Sequence, residues 1–274
     1  MKKKRFWSSV AVNVMAWTLT IVLITPLVLI LFNSFKTSQA ASDMNLALPT
    51  SIQWSNYTTV IEKGKLGITF LNSLLYSCGS VLLCTALSAM ASYVLSRNRS
   101  RLHRFLYLFM VLGIAMPINF VTLMKVMQAT HLMNTRLGIV LLYTATQIPF
   151  NIFLIHSFVS KIPQEIDEAA ILDGASPMQL FTLVILPLLK PVLVTVMVLT
   201  FLNTWNEFVM PLYFLGSSTK WPMTLAVYNF FGMYFKDWNL VCADIVLTCA
   251  PVVVVYLLGQ KYIVAGMTAG AVKG

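Results

Sequence analysis

The sequence predicts an all-α, polytopic integral membrane protein with six transmembrane helices, and three observations predict it. Apolar residues fill 58% of the 274 positions and charged residues only 10%, against roughly 45–50% and 25% in soluble globular chains. The mean hydropathy is +0.79. Six stretches stay apolar over about the 20 residues that a helix needs to cross a hydrocarbon core. This composition excludes a soluble domain, intrinsic disorder, a collagen-like fibre and a disulfide-stapled secreted module.

The six stretches are 10–32, 70–95, 105–126, 137–159, 192–215 and 240–264, within a single transmembrane domain spanning 1–274. They are continuous rather than alternating, which fits helices and not barrel strands. The first follows the basic start Met1-Lys-Lys-Lys-Arg, as a signal peptide would. Its apolar run is longer than the roughly 7–15 residues of a signal core, so an uncleaved span is expected.

An even number of spans puts both termini on one side, and the basic residues choose the side. With the termini inside, Lys2, Lys3, Lys4, Arg5, Arg97, Arg99, Arg101, Arg104, Lys161, Lys190, Lys261 and Lys273 are cytoplasmic. Lys36, Lys63, Lys65, Arg136, Lys220 and Lys236 are external. The inner excess sets cytoplasmic termini. It also accounts for the net charge of +10 without nucleic acid. Cys78, Cys84, Cys242 and Cys249 lie in apolar runs without zinc-site spacing, and read as small buried helix residues.

Four of the nine acidic residues, Glu165, Asp167, Glu168 and Asp173, fall in the cytoplasmic segment 161–187. Pro163 suits the first turn of a helix, and Glu165 and Asp167 suit its positive end. Gly174 is placed to stop it in a left-handed conformation. Ser176 then caps a second helix with Pro177 at its first position. Ile162, Ile166, Ala169, Ala170 and Leu172 give the first helix an apolar stripe. So short a helix is marginal alone, and its acidity opposes docking on anionic headgroups; a cytoplasmic protein partner is the preferred reading.

The run Glu168-Ala169-Ala170, Gly174 and Leu186-Pro187 resembles the EAA loop of binding-protein-dependent ABC importer permeases. Asp173 and Ala175 fit the common Asp-Gly-Ala form, while Val184 stands where isoleucine is usual. The stretches 54–57, 205–208 and 266–274 resemble the carbohydrate branch of that family, particularly the second permease subunit of maltose-type importers.

The resemblance implies a second permease subunit (identical or distinct), two cytoplasmic ATPase subunits that hold ATP and Mg, and an extracytoplasmic solute-binding protein delivering a carbohydrate. It implies a prokaryotic inner membrane, alternating access, and an ATPase-coupling role for Glu168, Ala169, Ala170, Asp173 and Gly174, the last as a sharp bend. This chain itself is expected to carry no cofactor, since it contains no Gly-x-x-x-x-Gly-Lys-Ser/Thr phosphate loop.

Asn72, Asn119, Gln147, Asn151, Asn203, Asn206 and Glu207 place polar groups inside apolar runs, where they face the bundle or a wet cavity. Interhelical bonding and solute contact are open to each. Asn119, Asn151, Trp205, Asn206 and Glu207 are the candidates for a substrate pathway, and Glu207 is alternatively an anchor between subunits. The partner permease holding the whole site is a further alternative. Pro117 and Pro149 read either as static kinks or as hinges. Trp54 and Tyr57, in the external segment 35–69, suit the membrane interface.

Two rivals are weaker. A secondary transporter calls for intramembrane carboxylates and often inverted repeats, and Glu207 is the main candidate carboxylate. An intramembrane enzyme finds no His-Glu-x-x-His pair and no Gly-x-Ser-x-Gly turn among the scattered His103, His131 and His156.

Overall fold

The computed structural model describes residues 2–98, 100–230 and 237–271, with side chains over 10–98, 100–230 and 237–262. Arg99, Lys236, the basic side chains before position 10 and the tail stretch 266–274 thus lie outside the described side chains. The main helices are α1 (Lys2–Ser34), α2 (Ser55–Lys63), α3 (Leu66–Arg97), α4 (Arg101–Leu112), α5 (Phe120–Ala129) and α6 (Arg136–Val159). They continue with α7 (Glu165–Leu172), α8 (Pro177–Leu188), α9 (Lys190–Trp205), α10 (Val209–Phe214) and α11 (Trp238–Ala271).

Four of the described helices are long and apolar enough to cross a membrane, over Val10–Ser34, Leu66–Arg97, Arg136–Val159 and Trp238–Tyr262. The pair α8 and α9, bent by 78° at its junction, makes a fifth if taken together.

Two of the expected spans are not single continuous helices. The stretch 105–126 is not one helix: α4 ends at Leu112 and α5 begins at Phe120. Pro117 lacks an N–H and turns Met116 away from helical geometry. Asn119 then opens α5, its Oδ1 accepting from the Thr122 N–H at 3.0 Å. The stretch 192–215 is likewise broken between Trp205 and Val209. There the Glu207 Oε1 accepts from the Val209 and Met210 N–H groups at 2.8 and 3.0 Å, capping α10. Pro149, by contrast, sits within a continuous α6.

The chain divides into two compact units. One comprises Met1–Gly67 with Ala226–Ala250. None of the apolar window of α1 is buried within the chain. Past its end, Lys36 is buried, and its Nζ donates to Asn33 Oδ1, Asn45 O and Asn45 Oδ1 at 2.8–3.0 Å. Asn56 donates to the Ser34 and Lys36 carbonyls and accepts from Asn239 at 2.8 Å. Phe35, Trp54 and Tyr57 form an aromatic cluster. A buried ammonium is tolerated there because three oxygens replace its water.

The other unit comprises Ile68–Leu225 with Pro251–Gly274. Its spine is the pair α3 and α6. Ser80 Oγ donates to the Val140 carbonyl at 3.1 Å and Ser92 Oγ to the Ile152 carbonyl at 3.3 Å. Both bonds span the same sequence separation, so the two helices run parallel and in register. The chain between them, 101–129, has to travel back along their length. Buried Ser73, Ser77, Ser80, Ser88 and Ser92 keep the α3 face narrow, as close packing in lipid requires.

Gly79 lies on the same seam. A Cβ there would stand 3.2 Å from Val140 Cγ1. Gly79→Leu is therefore expected to overpack the seam and cost about 1–3 kcal/mol, read as a lower unfolding temperature of the detergent-purified protein.

Two apolar cores flank the spine. One gathers Tyr76, Ile139, Tyr143, Met210 and Phe214. The other gathers Ile155, Val159, Leu180, Ile185 and Leu189, and it supports the next region.

Candidate functional site

The segment 161–187 folds into a helical elbow. Helix α7 begins at Glu165, two residues after Pro163, and carries Glu165, Asp167 and Glu168 in its first turn, where the helix dipole favours them. The Gly174 N–H donates to Ile171 O and the Ala175 N–H to Ala170 O, both at 3.0 Å. This pair of bonds closes the helix only with a left-handed residue between them, and Gly174 has φ +81°. Ser176 caps α8 by a reciprocal pair: its Oγ accepts from the Gln179 N–H, and Gln179 Oε1 accepts from the Ser176 N–H at 2.9 Å. Helix α8 winds as a π-helix over Leu180–Ile185 before the 78° bend into α9.

The elbow has an inner and an outer face, which divides the apolar stripe expected of α7. Ile162 and Ala170 pack on the core of Ile155, Val159 and Leu189. Glu165, Glu168, Ala169 and Asp173 are exposed. So are Ile171 and Leu172, the latter at 88%, and Met178 beyond the bend. The elbow thus presents an acidic surface with bare apolar side chains at its tip.

One acid is turned inward. Asp167 meets the Arg97 guanidinium at the end of α3, with Nε to Oδ2 at 2.8 Å and Nη2 to Oδ1 at 2.9 Å. Tyr93 also donates to Oδ2 at 3.1 Å.

A second feature is a cleft of about 750 Å³ between the broken α4–α5 segment, α6 and α9. Gly113, Met116 and Ile118 from the break line it, with Pro149 and Phe150 of α6. Its polar lining is Asn119, Thr122, Thr146, Gln147 and Asn203. Asn203 Nδ2 donates to Gln147 Oε1 at 3.2 Å. The break borders the cleft, the setting in which non-helical backbone is tolerated within a membrane domain. Among the described residues, no charged side chain lines it.

The expected pathway residues separate. Asn119 lines the cleft. Asn151 is fully buried and ties three helices, donating to Cys84 Sγ and to Thr200 Oγ1 at 3.0 Å. Trp205 is buried between Phe70 and Phe201. Asn206 is exposed and donates to the Leu202 carbonyl at 2.8 Å, and Glu207 caps α10 as described. Thr122 and Thr146 were not singled out by sequence; a hydroxyl in an apolar helix gives no signal of the face it occupies.

Asp244, an acid inside an otherwise apolar run of α11, also went unremarked. It is 1% exposed and its Oδ1 has no hydrogen-bond partner. Cys84 and Cys242 are buried as expected, whereas Cys78 and Cys249 are exposed.

Comparison with known proteins identifies the family. Residues 82–269 match the family described as binding-protein-dependent transport system inner membrane component. The chain is 31% identical over 258 residues to the diacetylchitobiose uptake system permease protein of Streptomyces coelicolor, covering 93% of this chain and 85% of that one. It is 33% identical over 282 residues to the multiple sugar-binding transport system permease protein of Streptococcus mutans, covering 100% of each. The fold is shared with the crystal structure of a bacterial ABC transporter involved in import of the acidic polysaccharide alginate. The TM-score is 0.84 at 23% identity, over 96% of this chain and 98% of that one. An exposed acidic elbow and a cleft among apolar helices thus sit in a chain that belongs to the binding-protein-dependent transport system inner membrane component family, as a permease subunit of an ABC importer and not itself an enzyme.

Proposed function

We propose that this chain is one of two permease subunits of an importer for an uncharged sugar or oligosaccharide, working as a single transmembrane domain in a prokaryotic inner membrane. An extracytoplasmic solute-binding protein delivers the solute, and two cytoplasmic subunits bind ATP and Mg and hydrolyse the nucleotide. The observation that carries this reading is the elbow, with its exposed acids and bare Ile171 and Leu172. Glu168, Ala169, Asp173 and Gly174 form the contact with the ATPase, Ala170 serves the same coupling from the inner face by seating α7 on the core, and closure of the ATPase pair switches the bundle between inward- and outward-facing forms.

The sugar assignment is supported by the substrates in the relatives' names and by a cleft lined with amides and hydroxyls but no cation. Asn119 contacts the solute there together with Gln147 and Asn203. Six crossings with both termini cytoplasmic are supported by the excess of inner basic residues and by the parallel α3–α6 pair, which needs one return crossing through α4 and α5.

The elbow is tested directly by Leu172→Glu. We expect a tagged variant permease to retain at least tenfold less ATPase subunit on purification than the unaltered chain. Equal retention overturns the docking assignment. Screening labelled carbohydrates for ATP-dependent uptake by the complete assembly tests the solute class.

A further inference from the structure

Arg97 is the last residue of α3, yet its side chain is committed to a segment distant in sequence. Its Nε and Nη2 hold the two Asp167 oxygens at 2.8 and 2.9 Å. Its Nη1 donates to the Ile162 carbonyl at 3.0 Å. One planar group thereby fixes both the approach to α7 and its first turn. Tyr93, one turn back on α3, adds a bond to the same carboxylate at 3.1 Å. Both charged side chains are 12% exposed. A forked guanidinium–carboxylate pair sets angle as well as distance. Removing one buried partner leaves the other charge uncompensated.

The apolar packing reinforces the same join. Ala170, one turn along α7 from Asp167, packs with Tyr93 and Phe181 on the core of Ile155, Leu180 and Leu189. Tilting helix α7 away from the end of α3 would therefore break these bonds and this packing together. Helix α3 is in turn bonded in register to α6 through Ser80 and Ser92.

We propose that Arg97 is a positioning residue that locks the elbow to the end of α3, so that elbow movement is delivered axially along α3 and its bonded partner α6. The covalent links of the elbow, through Ser160–Pro163 and Gly174, and its apolar packing would otherwise carry that movement without a fixed angle. A helix of 32 residues is a strut of about 48 Å at roughly 1.5 Å per residue. The inference rests on the reading of α7 as the ATPase-docking helix.

The test uses the complete transporter in vesicles. Asp167→Asn removes the charge pair at nearly constant volume, and Arg97→Gln removes it with a shorter, neutral side chain. The double variant Arg97→Asp with Asp167→Arg restores it reversed. Two quantities are measured: ATPase subunit retained on the tagged permease, and solute imported per ATP hydrolysed. We expect each single variant to retain the ATPase but import at least tenfold less solute per ATP, and the reversed pair to recover at least one third of the original ratio.

A ratio within twofold of the unaltered chain in Asp167→Asn overturns the proposal. So does a reversed pair no better than the single variants. If a single variant sheds the ATPase, the reversed pair alone decides, by the same criterion. The docking reading stands or falls separately, on whether the Leu172→Glu chain loses the ATPase. A merely structural role for Arg97 would lower protein yield but leave the ratio of solute to ATP unchanged.

Discussion

Gly174→Val is expected to lower solute uptake by the assembled transporter about fivefold to thirtyfold. The residue sits at φ +81°, where an L side chain costs roughly 1–2 kcal/mol and a β-branched one is a genuine outlier. That strain corresponds to about the stated factor in the population of the closed elbow. Nothing lies within 4 Å of a Cβ built at this position, so crowding inside the chain plays no part. Gly174→Asn separates conformation from docking, because asparagine tolerates the left-handed region. It should keep more than half of the uptake. If both variants transport normally, the left-handed stop is not required for coupling.

Ala145→Trp carries the second large effect. Ala145 lines the cleft and is exposed within it. An indole there occupies the space facing Gln147 and Asn203 without touching the elbow. Uptake of labelled sugar is expected to fall at least tenfold, while ATPase retention on the tagged permease stays at the level of the unaltered chain. Ala145→Ser should transport nearly normally. Unimpaired uptake in Ala145→Trp would place the solute path outside this cleft.

The long apolar helices were legible because hydropathy reports the solvent a segment needs. Helices α1, α3, α6 and α11 each cover their expected stretch, and all but α6 run past it at both ends. Hydropathy does not report conformation. Ile114, Met116 and Ile118 keep the average high across 105–126, so the stretch reads as one span although Pro117 and the Asn119 cap divide it.

The elbow was readable for the opposite reason. The left-handed stop at Gly174 and the cap at Ser176 are local chemistry, decided within four or five residues.

Facing was the hardest property to read. Helix α6 is apolar all round, so no periodicity says that Asn151 turns to Cys84 and Thr200 while Gln147 turns to the cleft. The pairing of Arg97 with Asp167 joins residues far apart in the chain, and neither side chain carries a mark of the other. Each was counted only as charge.

The serine seam between α3 and α6 has a thermal consequence. Lipid tails are as apolar as the side chains they would replace, so water expulsion contributes little to joining two helices already in the bilayer. Hydroxyl–carbonyl bonds and dispersion hold this joint instead. Water-driven association fades as temperature falls; a dry joint lacks that weakness, and its grip should persist in the cold.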